Sequence, residues 1–89
     1  MKYVCTFEFD KSIDSRFIEQ EIVESILTTE DVFGQAKVQL SASYLAAENK
    51  AVIDVSTEVG EHIFSVLTGR LNRKIGRKRY SFKRVPANK

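Results

Sequence analysis

The chain has 89 residues, of which 43% are hydrophobic and 29% charged, an ordinary balance for a globular protein that argues against disorder throughout. One cysteine and one histidine are too few for an internal disulfide or a zinc site. No apolar run approaches the roughly 20 residues that span a bilayer, and the first residues lack the apolar segment of a signal peptide. We therefore expect one cytosolic domain over residues 1–85 with a frayed tail at 86–89, and no metal, cofactor or membrane association.

The formal net charge of +2 conceals a strong asymmetry along the chain. Residues 1–61 hold all twelve acidic side chains and five basic ones, a net charge of −7. Residues 62–89 hold nine basic side chains and no acidic one, a net charge of +9. Such a difference between two parts of a chain points to a polyanionic partner.

The first two predicted elements are a strand and an amphipathic helix. Apolar and polar side chains alternate over residues 2–9, the pattern of a strand with one buried face. Asp14 is a suitable N-cap for a helix over about residues 15–28. The apolar side chains of this helix recur at helical spacing and predict a core stripe of Ile18, Ile22 and Ile26, widened to one side by Val23 and Leu27.

Two further strands follow a turn at Gly34. Residues 36–44 alternate without a break and predict the second strand. Residues 45–50 have a polar tip and predict the connection of a hairpin, and residues 51–56 predict the third strand.

The last predicted pair is a second helix and a fourth strand. Thr57 is the expected N-cap, and Gly76 suits the position just past the C-terminus, where a positive φ is common. The fourth strand covers residues 79–85, with Tyr80 and Phe82 facing inward. The helix presents one apolar stripe, formed by Ile63, Phe64, Leu67, Leu71 and Ile75.

This order of elements predicts an α+β domain. A two-layer sandwich, with a four-stranded antiparallel sheet and both helices on one face, buries every apolar stripe and face. The preference for right-handed crossovers then favours the βαββαβ, ferredoxin-like arrangement. Many unrelated functions use this arrangement, so function has to be argued from particular residues.

Several functions are disfavoured by what the sequence lacks. The predicted open sheet face carries no aromatic side chain, which argues against the base stacking of RNA-recognition motifs. The loop at residues 10–13 has no paired cysteines, no glycine and no arginine, which argues against metal-carrier, acylphosphatase-like and amino-acid-sensing domains. No carboxylates are spaced as an acid/base couple, so we expect a protein that is not an enzyme.

The remaining candidate site is the basic stretch, which we expect to contact nucleic acid or another polyanion by neutralising phosphates. Arg70, Arg73 and Arg77 are spaced to share one helix face, and Lys83 is expected on the open sheet face. The predicted site consists of Arg70, Arg73, Lys74, Arg77, Lys78, Arg79 and Lys83.

Two alternatives give the charge asymmetry another meaning. The acidic first helix can face the basic second helix within one molecule, through exposed pairs each worth roughly 0–1 kcal/mol. The asymmetry can instead serve a protein partner or a homodimer, to which Val4 and Val52 on the open sheet face would contribute. His62 is expected at the surface, and Cys5 is expected to be a small buried side chain.

Overall fold

The computed structural model describes residues 2–41, 44–47 and 49–86. The expectation of an α+β domain with an antiparallel sheet and helices is confirmed. In chain order the elements are strand β1 (Tyr3–Phe9), helix α1 (Ser15–Phe33), helix α2 (Gln35–Ser41), strand β2 (Tyr44–Ala47), strand β3 (Lys50–Asp54), helix α3 (Glu58–Lys74), a 3-10 turn (Arg77–Arg79) and strand β4 (Tyr80–Pro86).

The sheet is antiparallel, with the strands in the order β2-β3-β1-β4. Phe7 in the central strand lies opposite Ala51 of β3 and Phe82 of β4. Along β1 the side chains of Cys5, Phe7 and Phe9 are buried, whereas those between them are partly or fully exposed. One face of the sheet therefore packs against α1 and α3, and the other face is open.

The predicted second strand over residues 36–44 is wrong. Residues 35–41 form α2, and the strand that follows, β2, covers Tyr44–Ala47. Gly34 has φ 89°, which ends α1, and its carbonyl accepts a hydrogen bond from the amide of Val38 at the start of the new helix. The segment is rich in good helix formers, so its alternation misled the sequence analysis. The strict βαββαβ order is therefore wrong as well, because α2 stands between α1 and β2.

Helix α1 is longer than the predicted residues 15–28. Both threonines that follow Leu27 lie inside the helix. The hydroxyl of Thr28 donates to the carbonyl of Glu24, and that of Thr29 donates to the carbonyl of Ser25. Such back-bonding lets a threonine sit within a helix.

The buried side of α1 differs in part from the predicted stripe. Ile18 and Ile22 are buried, as predicted, but Val23 and Leu27 are 42% and 48% exposed. The side of α1 that is buried instead carries polar residues at helical spacing: Glu21, Ser25 and Thr29. The widening of the stripe was therefore placed on the wrong side, since α1 meets its neighbour through polar side chains.

The start of α1 and both ends of α3 follow the sequence closely. Asp14 caps α1 by accepting a hydrogen bond from the amide of Arg16, and Thr57 caps α3 by accepting one from Gly60. Gly76 has φ 80° just past α3, as expected. Strand β4 includes Pro86, which the sequence analysis assigned to the tail, and residues 87–89 of that tail lie outside the described residues.

Candidate nucleic-acid interface

Two of the seven predicted site residues bind a carboxylate inside the molecule. Arg70 Nε lies 2.7 Å from Glu21 Oε1, and Lys74 Nζ lies 2.9 Å from Glu21 Oε2. The side chain of Glu21 is only 4% exposed, so α1 presents a nearly buried anion to the side of α3. Arg70 and Lys74 are thus placed as intramolecular counterions.

The charge of Glu21 depends on these two contacts. Burial raises the pKa of a carboxyl group, but the hydrogen bonds from Arg70 and Lys74 outweigh burial, and the pKa of Glu21 is lowered. The carboxylate is therefore ionised at neutral pH and holds both cations against α1. The idea that the acidic and basic helices complement each other within one molecule explains Arg70 and Lys74.

Four other predicted residues are exposed. Among the described residues, none of them is within ion-pair distance of a carboxylate. We call this set the basic edge: Arg73, Arg77, Lys78 and Lys83. Its members remain available to an external anion.

The basic edge is built by the end of α3 and by the chain that follows. Helix α3 stops at Lys74, and Gly76 turns the chain into the 3-10 turn that begins at Arg77. The predicted helix face shared by Arg70, Arg73 and Arg77 is therefore wrong for Arg77. Lys83 pairs with Thr6 across the sheet and lies on the open face, at the position that the alternation predicted.

Arg79 is hydrogen-bonded to the loop that follows β1. Its Nη2 donates to Ser12 Oγ at 2.7 Å, and its carbonyl accepts from the amide of Asp10 at 2.8 Å. Hydrogen bonds from Ser12 are the main cause of the lowered pKa of Asp10, to which the charge of Arg79 also contributes. Glu8 and Asp10 line the same shallow concavity of about 290 Å³ as Lys78 and Arg79. Because its guanidinium is already hydrogen-bonded to Ser12, we leave Arg79 out of the basic edge.

An aromatic cluster lies beside the basic edge and was missed as part of a site. Phe7, Phe64 and Phe82 are mutually in ring contact, with Phe82 5.5 Å from Phe7 and 5.1 Å from Phe64. Phe82 is nevertheless 43% exposed, because β4 is an edge strand. Its inward parity was predicted, but its exposure depends on the strand order, which the alternation alone does not reveal.

A cavity of about 260 Å³ opens next to this cluster. It is lined by Arg77, Tyr80, Ser81 and Phe82, so aromatic residues and a member of the basic edge border the same space. The hydroxyl of Tyr80 donates to Asn72 Oδ1, which fixes the ring of Tyr80 against the end of α3. Burial raises the pKa of Tyr80, and the nearby charge of Arg77 partly opposes this.

His62 is not the surface residue that the sequence suggested. Its Nδ1 lies 2.9 Å from Thr29 Oγ1, and its ring meets the ring of Phe33 edge-on at 5.5 Å. Thr29 Oγ1 also lies 2.8 Å from the carbonyl oxygen of Ser25, so this hydroxyl contacts both its own helix and His62. His62 thus ties α3 to α1 beside a groove of about 550 Å³ that also contains Glu58 and Glu61.

Two further residues, Cys5 and Arg84, make their contacts within the molecule. Cys5 is buried, as expected, and burial raises the pKa of its thiol to about 11. Arg84, which was left out of the predicted site, makes two hydrogen bonds of 2.7 and 3.1 Å to the carboxylate of Glu61. This contact joins β4 to α3 and removes Arg84 from the available cations.

Comparison with protein-family models, with curated proteins and with solved structures found no match. In the part of the chain that the structure describes, no helix is both long enough and apolar enough to cross a bilayer. Within the same ranges, no three His, Cys, Asp or Glu side chains come together as metal ligands would. The cytosolic location stays a prediction.

Proposed function

We propose that this domain is not an enzyme and that it binds nucleic acid, or another extended polyanion, through the basic edge. The observation that carries the proposal is the division of the cations into two groups. Arg70, Lys74 and Arg84 are each held by a carboxylate of the same molecule. The basic edge keeps its charge exposed, so intramolecular pairing accounts for only part of the asymmetry.

The environments of the acidic residues support a binding role over a catalytic one. Hydrogen bonds lower the pKa of Asp54, whose partner is Ser56, and of Glu61, whose partner is Arg84. The pKa of Glu21 is lowered as well. A general base that works near neutral pH needs a pKa shifted in the opposite direction. These carboxylates serve turns and ion pairs.

The strand connections also support the ferredoxin-like fold proposed from the sequence, in an extended form. In the order β2-β3-β1-β4, the crossover from β1 to β2 spans β3, and the crossover from β3 to β4 spans β1. This is the pattern of two split βαβ units. Helix α2 is then an insertion in the first crossover.

The test is fluorescence anisotropy of labelled single- and double-stranded DNA and RNA, measured at several salt concentrations. If the four cations of the basic edge all contact phosphates of a single strand, log K should fall with log salt with a slope of about −3. The variant Arg73→Glu with Arg77→Glu should bind at least about tenfold more weakly while its circular dichroism spectrum stays unchanged.

A matched control separates the site from net charge. Lys2→Glu with Arg16→Glu makes the same change in net charge, at exposed positions outside the basic edge. We expect this variant to bind almost as well as the unmodified protein. Absence of binding at low salt would refute the proposal, and an equal loss in both double variants would refute the assignment to the basic edge.

The second candidate function is association with a protein partner or with a second copy of the chain. Its support is the exposure of Val23 and Leu27, which lie one helical turn apart on the outer side of α1. Light scattering on the anisotropy samples tests self-association. If this candidate is right, the mass exceeds that of one chain, and Val23→Lys with Leu27→Lys restores the monomer.

A further inference from the structure

We propose that the ligand is single-stranded nucleic acid, and that one of its bases is received in the cavity between Arg77 and Phe82. This inference rests on the proposed function and specifies the form of nucleic acid and the way it is held. The basic edge alone explains attraction to any polyanion. The cavity beside it is lined by Phe82, which is 43% exposed, and by Arg77 of the basic edge.

The ring of Phe82 is held in place before any ligand arrives. It meets the ring of Phe64 edge-on at 5.1 Å, and it lies 5.5 Å from the buried ring of Phe7, its partner across the sheet. Nearly half of its surface is left to solvent on the edge strand. An aromatic ring fixed on one side and exposed on the other is the platform that single-strand-binding proteins use for stacking.

The size of the cavity favours one planar ring. Its volume of about 260 Å³ lies below the roughly 300–1,000 Å³ of sites that enclose drug-sized ligands. Such a space suits a base while the sugar and phosphate remain outside. Arg77 belongs both to this cavity and to the basic edge, so a phosphate next to the base would lie near Arg77 and Lys78.

The need for an exposed base explains why a single strand is preferred over a duplex. In a duplex, each base is stacked between its neighbours and cannot reach a ring on the protein without being unstacked. A single strand offers base faces at little cost, and stacking tolerates any base sequence. The expected ligand is therefore a flexible strand with little sequence preference.

The experiment compares three oligonucleotides of equal length and label by fluorescence anisotropy. They are a thymidine single strand, the same strand with abasic sites in place of its bases, and a duplex. The unmodified protein should bind the thymidine strand about tenfold more tightly than the abasic strand, because the abasic strand keeps the phosphates and loses the stacking. Phe82→Leu should lose that advantage and bind both strands equally.

Tyr3→Leu is the matched control for Phe82→Leu. Tyr3 is 38% exposed, similar to Phe82, but it lies at the other end of the β1–β4 ladder, opposite Pro86. This variant should keep the preference for the strand that carries bases. Circular dichroism and thermal melting of both leucine variants establish that each is folded.

The possible outcomes separate this inference from the proposed function. No binding of any oligonucleotide refutes the proposed function and this inference with it. Equal binding of the thymidine strand, the abasic strand and the duplex refutes the base pocket and leaves the basic edge intact. A preference for bases that survives in Phe82→Leu, or that disappears equally in Tyr3→Leu, also refutes the pocket.

Discussion

Gly60 shows how one residue can restrict the whole packing of α3. A Cβ atom at this position would lie 1.9 Å from the backbone oxygen of Asp54 and 3.2 Å from the Cα of Val55. The neighbouring atoms belong to the backbone and cannot rotate away. Helix α3 therefore starts as close to the end of β3 as a glycine permits.

We predict that Gly60→Ala destabilises the domain by about 1–3 kcal/mol or more, the usual cost of overpacking. Gly69→Ala in the same helix is the control, since its Cβ would meet only Arg73 Nη1 at 3.5 Å. That variant should be neutral or up to about 1 kcal/mol more stable, because alanine favours a helix over glycine. Urea unfolding of both variants measures the difference. Equal stabilities would contradict the close approach.

The lowered pKa of Glu21 predicts how the stability of the folded domain depends on pH. Its pKa in the folded protein is lower than in the unfolded chain. Its contribution is therefore complete above the unfolded pKa of about 4.3 and is lost as pH falls through the folded value. Asp10, Asp54 and Glu61 also have lowered pKa values, so the loss in acid is shared.

We predict that Glu21→Gln costs about 1–3 kcal/mol at pH 7 and makes stability depend less on pH in acid. The cost stays below that of a fully buried ion pair, because Lys74 is half exposed and can turn to water. Urea unfolding between pH 3 and 7 measures it. Glu19 on the same helix is exposed, and Glu19→Gln serves as the control. This variant should change the free energy of unfolding by less than about 0.5 kcal/mol. An unchanged acid profile in the Glu21→Gln protein would show that the pair contributes nothing.

At the scale of the elements, a hydrogen bond between polar side chains joins α1 and α3. Ser25 and Thr29 are fully buried. The hydroxyl of Thr29 is within hydrogen-bond distance of both the carbonyl oxygen of Ser25 and Nδ1 of His62. A threonine-to-valine change keeps the shape of the side chain and removes the hydroxyl. His62 Nδ1 would then have lost its hydrogen-bond partner in a partly buried site.

We predict that Thr29→Val destabilises the domain by about 1–2 kcal/mol, the cost of leaving one polar group without its partner. Thr28→Val is the control, because its hydroxyl is exposed and bonds only within its own helix. Thermal unfolding should show a clear loss for the first variant and little change for the second. Equal thermal stabilities of the two variants would mean that the hydrogen bond to His62 does not stabilise the domain.

The sequence predicted those elements whose signals were local and concordant. The caps at Asp14 and Thr57 and the break at Gly76 needed only the chemistry of the residues at each end. The strand prediction for this part of the chain failed because strand-like alternation and helix propensity disagreed. Residues 35–41 form a helix that starts directly after the turn at Gly34. The depth of Glu21 and the exposure of Phe82 also escaped, since both depend on which elements become neighbours.

At the scale of the whole molecule, the charge asymmetry has two physical roles. Part of it is satisfied internally, where α3 and β4 meet the acids of α1 and of the start of α3. The rest is displayed past the end of α3 and on the open sheet face. The sequence located the basic stretch, whose role as a site stays a prediction, but it could not separate these roles, because they differ only in what lies within about 4 Å of each cation.

Strand β4, which carries part of the basic edge, pairs with β1 alone among the described strands and so forms an edge of the sheet. A bare edge invites the same strand of another molecule to join it, and charged side chains and proline are known deterrents. Lys83 lies at the middle of β4, and Pro86, which has no amide proton, lies at its end. Two copies aligned through this edge would bring like charges together. We therefore expect the basic edge, which we propose binds a polyanion, also to protect the free protein from aggregation. Replacing Lys83 with an apolar residue should then weaken both solubility and binding.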